Sequence, residues 1–401
     1  MSFLSVLLEY KWTILFYTFI IGFVYFNKKR FEKQAAFVYL YKTKIGLKFM
    51  DKVSKKFRKL IQIWGYIGIF IAYMGFFLIT YALLRNAYDL IIEKPGVVGG
   101  SPVIPGLPIA GLGIKFPLVI GWISLFIIMI VHEFSHGIVA RAHNVKVKSS
   151  GIAFFGPILG AFVEPDDKQL EKQPHKVQHS IFAAGPVSNI VLWIVCSLLI
   201  VAVAQPIIAI SKTTGVQIGI IQNETLPAYT SGMPEKTIII KINDYETNNL
   251  TALETALDNL VPGQEIDVYT KSGQVYKMVT TTHPQNKSRA YLGILIYNED
   301  RVFKNDTLLN KTLFNILMWL LELLQWTAFI SINIGLINLF PIFITDGAQM
   351  LKRNFEYFFK DKKRALKYWS KVNLAAVFVI MILLFLPLLR TISKLITGII
   401  F

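Results

Sequence analysis

Residues 116–140 read FPLVIGWISLFIIMIVHEFSHGIVA, an apolar run long enough to cross a bilayer, with three titratable side chains near its end. Charged and titratable groups are expensive in hydrocarbon, so a cluster of them within a span points to function rather than packing. On a helix, His132 and His136 project from one face about a turn apart, and both imidazoles can reach one divalent cation. Glu133 then sits beside the cation's open position, where a carboxylate can take a proton from water and pass it to a leaving amine. The spacing His-Glu-Phe-Ser-His is the H-E-x-x-H signature of zinc hydrolases. The bland alternative, a surface histidine pair on a soluble helix, does not suit a run this apolar.

Five further apolar stretches extend the pattern: residues 12–26, 60–84, 180–204, 313–340 and 373–400. With 54% hydrophobic residues the chain reads as a polytopic α-helical membrane protein of about six transmembrane helices. The first stretch does not read as a cleavable signal peptide, because its basic cluster follows the apolar run. The net charge of +17 does not imply nucleic acid as a partner, because it is concentrated beside the spans. Residues 28–59 hold twelve Lys/Arg against two acids, and residues 352–371 hold eight against two. Both read as cytoplasmic loops facing anionic lipid. Residues 207–312 carry ten basic and eleven acidic residues and fall outside the membrane on the other side. The single cysteine, Cys196, lies mid-span and excludes an intramolecular disulfide.

The expected organisation is therefore an N-terminal span and basic cytoplasmic loop (1–59), a first membrane segment (60–206), an extracytoplasmic β-rich domain with its linker (207–312), and a second membrane segment (313–401). Residues 95–115 are rich in Gly and Pro and read as a loop or short hairpin. Residues 151–165, GIAFFGPILGAFVEP, are too broken for a spanning helix and too apolar for a plain loop, so they read as a re-entrant β-hairpin. Within 207–312, strands are expected at 237–242, 265–270, 275–280 and 291–296, a helix at 252–260, and turns at Pro262-Gly263 and Ser272-Gly273.

Two more interrupted motifs lie in spans. In AAGPVSN (183–189), Pro186 frees the Phe182 carbonyl and Asn189 puts an amide in the bilayer, which suits a kinked helix glued to a neighbour. In NLFPIFITDG (338–347), Asp346 lies in apolar surroundings. It is a candidate third metal ligand, or alternatively the N-cap of a helix that starts at Gly347. His143, His175, His179 and His283 read as solvated or interfacial residues.

HEFSH at 132–136, AAGPVSN at 183–189 and NLFPIFITDG at 338–347, in that order, resemble the site-2 protease family of intramembrane zinc metalloproteases. The resemblance covers most of the chain from residue 95 onward. It implies one zinc ion per chain held by His132, His136 and Asp346, with Glu133 as general base and Asn189 and Asn338 beside the metal as further catalytic residues. It implies transmembrane protein substrates cut within the bilayer; the placement of the basic blocks, with the spans alternating, puts residues 132–136 toward the cytoplasmic side of an integral, cell-membrane protein. GAFVEPDD (160–167) resembles the archaeal branch. Residues 227–244 and Tyr291-Leu292-Gly293-Ile294 resemble an inserted PDZ-like domain with a site for a peptide or substrate end, although Lys236-Thr237 replaces the usual Gly-Asp pair. The competing reading is a metal-binding membrane transporter or receptor without hydrolytic activity, which has no use for a base at Glu133.

Overall fold

The computed structural model describes residues 7–35, 38–94, 97, 99–109, 114–221, 225–284, 286–359 and 361–400. In chain order the elements used below are α1 (Lys11–Phe26), β1 (Glu32–Ala35), β2 (Val38–Thr43), α2 (Leu47–Lys56), α3 (Arg58–Ile91), α4 (Leu118–Ala142), β3 (Val147–Phe155), β4 (Ile158–Pro165), α5 (Asp167–Glu171) and α6 (His175–Ile210). They continue with β5 (Ser211–Ile221), β6 (Ile238–Ile242), α7 (Leu250–Asp258), β7 (Glu265–Thr270), β8 (Val275–Val279), β9 (Ile294–Phe303), α8 (Leu308–Ile337), α9 (Asp346–Phe359) and α10 (Lys362–Ile400). The chain divides into two compact units, one of Met1–Glu93, Val97–Ile200 and Glu322–Phe401, the other chiefly Val201–Leu321.

Among the described residues five helices are long and apolar enough to cross a membrane: α3, α4, α6, α8 and the Lys362–Arg390 part of α10. This is a membrane protein. The stretch expected as a first span, α1, is a 16-residue helix, which rises about 24 Å and falls short of a hydrocarbon core of about 30 Å. It packs through Ile20 and Val24 against Phe154 of the sheet, and its Tyr17 hydroxyl donates to the Pro105 carbonyl at 2.9 Å. In the Pro/Gly stretch, Pro108–Ile109 pairs with Ile114–Lys115 as a short hairpin; residues 95, 96, 98 and 110–113 lie outside the described residues.

The spanning helices meet where small residues let backbones approach. On α3, a Cβ at Gly65 would crowd Ser180, one at Gly68 would touch Val187, and one at Gly75 would meet Leu339. That stripe seats α3 on α6 and on the end of α8. On the far side of α6, a Cβ at Gly335 of α8 would crowd the Pro186 carbonyl, and the Ser331 hydroxyl donates to the Asn189 carbonyl at 2.9 Å.

The apolar segment 151–165 forms the expected hairpin, with β3 and β4 in antiparallel register from Phe155↔Ile158 to Ser149↔Glu164. Gly156, at φ 61°, supplies the left-handed turn residue. The hairpin does not stand alone. The basic segment read as a plain loop contributes β1 and β2, giving a four-stranded antiparallel sheet in the order β1-β2-β3-β4 with β4 at one edge. The same segment supplies α2, whose Met50 is fully buried while its lysines face outward. Asp166 caps α5 by accepting from the Gln169 N–H at 3.0 Å, and that bond with nearby Lys148 holds its carboxyl below the usual range.

The second unit is a separate β-rich body with an antiparallel sheet ordered β8-β7-β6-β5-β9. In β7, Ile266, Val268 and Thr270 are buried while the alternate residues are not, as period-two patterning requires. Asn249 caps α7 by accepting from the Ala252 N–H at 2.8 Å, and Gly263 and Gly273 take positive φ in the expected turns. The strand expected at 291–296 is interrupted: Gly293 at φ 79° separates Asn286–Tyr291 from β9. The pairing of β2 with β3 is directly testable. In a Cys196→Ala background, Tyr41→Cys with Ile152→Cys, an exposed register pair, is expected to form a disulfide on mild oxidation. A linked peptide absent by mass spectrometry would place residues 38–43 elsewhere.

Candidate active site

His132 and His136 sit one turn apart on α4, and the first residue of α9, Asp346, comes up to both. The His132 Nε2 to Asp346 Oδ2 distance is 3.2 Å, the His136 Nε2 to Asp346 Oδ1 distance is 3.4 Å, and the two Nε2 atoms are 3.2 Å apart. Edges of about 3.3 Å are what three ligands span on a tetrahedron with bonds of about 2.0–2.1 Å to a central ion. These side chains form the one His/Cys/Asp/Glu group with metal-ligand spacing among the described residues. The donor set fits zinc: two neutral imidazoles and one carboxylate, with room for an open position.

The surroundings decide which imidazole nitrogens are free. His136 Nδ1 donates to the Ile181 carbonyl at 2.7 Å, one residue before the carbonyl that Pro186 leaves without a helical donor. With Nδ1 protonated, the lone pair is on Nε2 and faces the cluster. The Asn189 amide lies 3.1 Å from His132 Nδ1 and is fully buried. The atom set against that nitrogen is Asn189 Nδ2, while its buried Oδ1 has no partner among the described residues; the amide turned about, so that Oδ1 accepts from Nδ1–H, satisfies both groups and leaves Nε2 of His132 for a metal. Asn189 is thus directed at a ligand ring, and its place in the site is beneath the metal-competent cluster.

Two glycines make the geometry possible. A Cβ on Gly185 would collide with Nε2 of both histidines, so α6 can pass behind the cluster only with no side chain there. A Cβ on Gly347 would strike the backbone of Leu339, and the Gly347 N–H donates to the Asn338 carbonyl at 2.8 Å. The α9 start is therefore locked onto the end of α8. The helix is capped by Thr345, whose hydroxyl accepts from the Ala348 N–H at 3.3 Å. That leaves the Asp346 carboxylate free to face the histidines, and the N-cap alternative for Asp346 does not hold.

Glu133 follows His132 and accepts the backbone N–H of Val163, on edge strand β4, at 2.9 Å through Oε2. Asn338 donates its amide N–H to the Ile334 carbonyl of its own helix at 3.0 Å and lines the cleft beside the cluster. The cleft has a volume of about 440 Å³, and His132, Glu133, His136, Asn338, Asp346 and Arg353 are among its walls. Residues 132, 133, 136, 189, 338 and 346 thus gather in one place. Sequence reasoning missed Gly185 as a steric requirement, Thr345 as the cap and Val163 as a partner of Glu133. A glycine one residue before a proline in a span was the signal available for the first.

The profile of peptidase family M50 matches residues 120–383, a range that includes both histidines, Asn189 and Asp346. The chain belongs to peptidase family M50, the site-2 protease family. An uncharacterized protein of Methanocaldococcus jannaschii, MJ0971, is 28% identical over 341 residues, covering 83% of this chain and 80% of that protein. Family membership and the five apolar helices together make this M50 peptidase a membrane metalloprotease. Gly185→Ala is expected to lower metal affinity at least about ten-fold, because the added methyl displaces both imidazoles. Elemental analysis after dialysis against a graded chelator checks it, and unchanged affinity would mean that α6 does not press on the cluster.

Proposed function

We propose that this M50 peptidase is a zinc-dependent intramembrane endopeptidase that hydrolyses peptide bonds within transmembrane segments of other proteins. The observation that carries the reading is the convergence of His132, His136 and Asp346 at ligand spacing within the membrane unit, with Glu133 on the adjoining residue. One zinc ion per chain would be held by those three side chains and would supply Lewis-acid polarisation of the scissile carbonyl and ease the deprotonation of water. Glu133 accepts the proton as the water oxygen adds to the carbonyl carbon, and delivers it to the leaving amine as the C–N bond breaks. Asn189 and Ile181 act as positioning groups that hold the two imidazoles in the ligand tautomer. Asn338 lines the cleft, where it can contact substrate.

A helical substrate hides its carbonyls in i to i−4 hydrogen bonds, so it must unwind before one is attacked. An edge strand such as β4 receives an unwound segment by strand addition. The basic blocks at 28–59 and 352–371 assign the active-site end of α4 to the cytoplasmic side of the cell membrane, and the β-rich unit, read as PDZ-like, to the opposite side. That unit takes a substrate end. The transporter or receptor alternative is not favoured, because the family is one of peptidases.

Elemental analysis of detergent-purified protein is expected to find about one zinc per chain, lost in His132→Ala and Asp346→Ala. Glu133→Gln is expected to keep the zinc while cleavage of a reconstituted membrane substrate falls at least about 100-fold. Retained cleavage by the Gln variant would overturn the mechanism.

A further inference from the structure

A second cleft in the membrane unit, of about 560 Å³, shares only Arg353 with the candidate active site. Its volume suits a small ligand. The walls come from α5 with the turn after it, the first turn of α6, the second half of α9 and the first residue of α10. Four wall residues are cations, Lys168, Lys172, Arg353 and Lys362, against the two carboxylates of Glu171 and Glu356. Both carboxylates turn to Arg353, Glu356 at 2.8 Å and Glu171 at 3.8 Å. The three lysines have no ion-pair partner among the described residues. Ammonium groups gathered about one cleft repel one another, and an anion between them removes that repulsion.

Three wall residues also hold polar atoms that the chain leaves unsatisfied. Arg353 Nε, His175 Nε2 and Gln178 Oε1 are buried with no hydrogen-bond partner among the described residues, a condition that folded proteins generally avoid. Arg353 Nε is a donor, and His175 Nε2 is one in its Nε2–H tautomer. Gln178 Nε2 donates to the Glu171 and Gln173 carbonyls at 3.3 and 2.8 Å, which leaves Oε1 as an acceptor in want of a donor. An oxyanion next to a hydroxyl group satisfies all three.

The position of the cleft narrows the ligand further. His175 and Lys362 are the first residues of two of the candidate spans, and Tyr357, another wall residue, is exposed beside the exposed Phe358. Basic and aromatic side chains where spans begin mark the headgroup layer of a bilayer. We infer that this cleft binds a phosphate ester of a polyol. The lysines, Arg353 Nε and His175 Nε2 take the phosphate oxygens, and Gln178 accepts from the alcohol. An anionic phospholipid headgroup and a free polyol phosphate present the same chemistry. The site stands apart from the metal-competent cluster and does not rest on the peptidase reading.

The test uses the full chain, stripped of lipid in detergent. It is titrated with phosphatidylglycerol under native mass spectrometry, and separately dialysed to equilibrium against radiolabelled glycerol phosphate at fixed ionic strength. Phosphatidylcholine, whose choline cancels the phosphate charge and brings no hydroxyl, is the control lipid. Saturable binding of about one phosphatidylglycerol per chain is expected, at least about ten-fold tighter than phosphatidylcholine, and Lys172→Gln with Lys362→Gln is expected to weaken it at least about ten-fold. Lys48→Gln with Lys52→Gln removes the same charge from exposed positions on α2 and is expected to change it less than about two-fold. Lipid binding without glycerol phosphate binding assigns the cleft to a headgroup. Glycerol phosphate binding that falls in the Lys172/Lys362 variant assigns it to the free ester as well. No saturable binding of either probe, equal binding of phosphatidylcholine, or equal loss in the two double variants would overturn the site; in the last case the attraction belongs to the overall positive charge.

Discussion

Two imidazoles and a carboxylate held within 3.4 Å of one another inside an apolar helix bundle are the constraint around which the membrane unit is built. Each group alone would be costly at that depth, and together they form a polar point that a cation can neutralise. Keeping them together needs elements far apart in sequence to meet closely. α4 brings the histidines, α9 brings Asp346, and α6 passes behind with Gly185 so close that no side chain fits. The glycines at 65, 68 and 75 of α3 then close the bundle from another side. The packing of small residues and the placement of the polar cluster are one solution.

The supporting hydrogen bonds are mostly to backbone, and this suits a site in a membrane. The Ile181 carbonyl accepts from His136 one residue before the carbonyl that Pro186 frees, and the Val163 N–H, unpaired within its sheet, donates to Glu133. Interruptions in regular structure are costly in hydrocarbon unless the freed groups find partners. Here the partners are the site residues themselves. The breaks at the end of α8 and at β4 thus each supply something that Asp346 or Glu133 uses.

Much of this was legible beforehand, for physical reasons that differ by element. The hairpin at 151–165 announced itself because glycine and proline cannot continue a spanning helix, and its edges fell where the turn at Gly156 put them. In the β-rich unit, alternation in 265–270 located a strand to the residue, whereas 291–296 was misread because Gly293 breaks it with a positive φ that hydrophobicity does not report. The strands at 32–35 and 38–43 escaped notice because lysine density dominates that segment, and the strand on which 38–43 pairs, at 150–155, lies more than a hundred residues away. Asp346 could be read either as ligand or as cap until Thr345 was seen to cap the helix in its place.

The sequence by itself determined that the chain lives in a membrane, that His132, Glu133 and His136 share a helix turn, and that 183–189 and 338–347 are interrupted spans. Those follow from local periodicity, from the cost of charge in oil, and from the backbone chemistry of proline and glycine. Only the tertiary structure decided that Asp346 faces the histidines, that Asn189 and Ile181 meet their rings, and that β4 meets Glu133 through the Val163 N–H. Those depend on where separate helices and a sheet edge come to rest against one another. Contact at that range is set by the packing of whole elements and is written in no local stretch of residues.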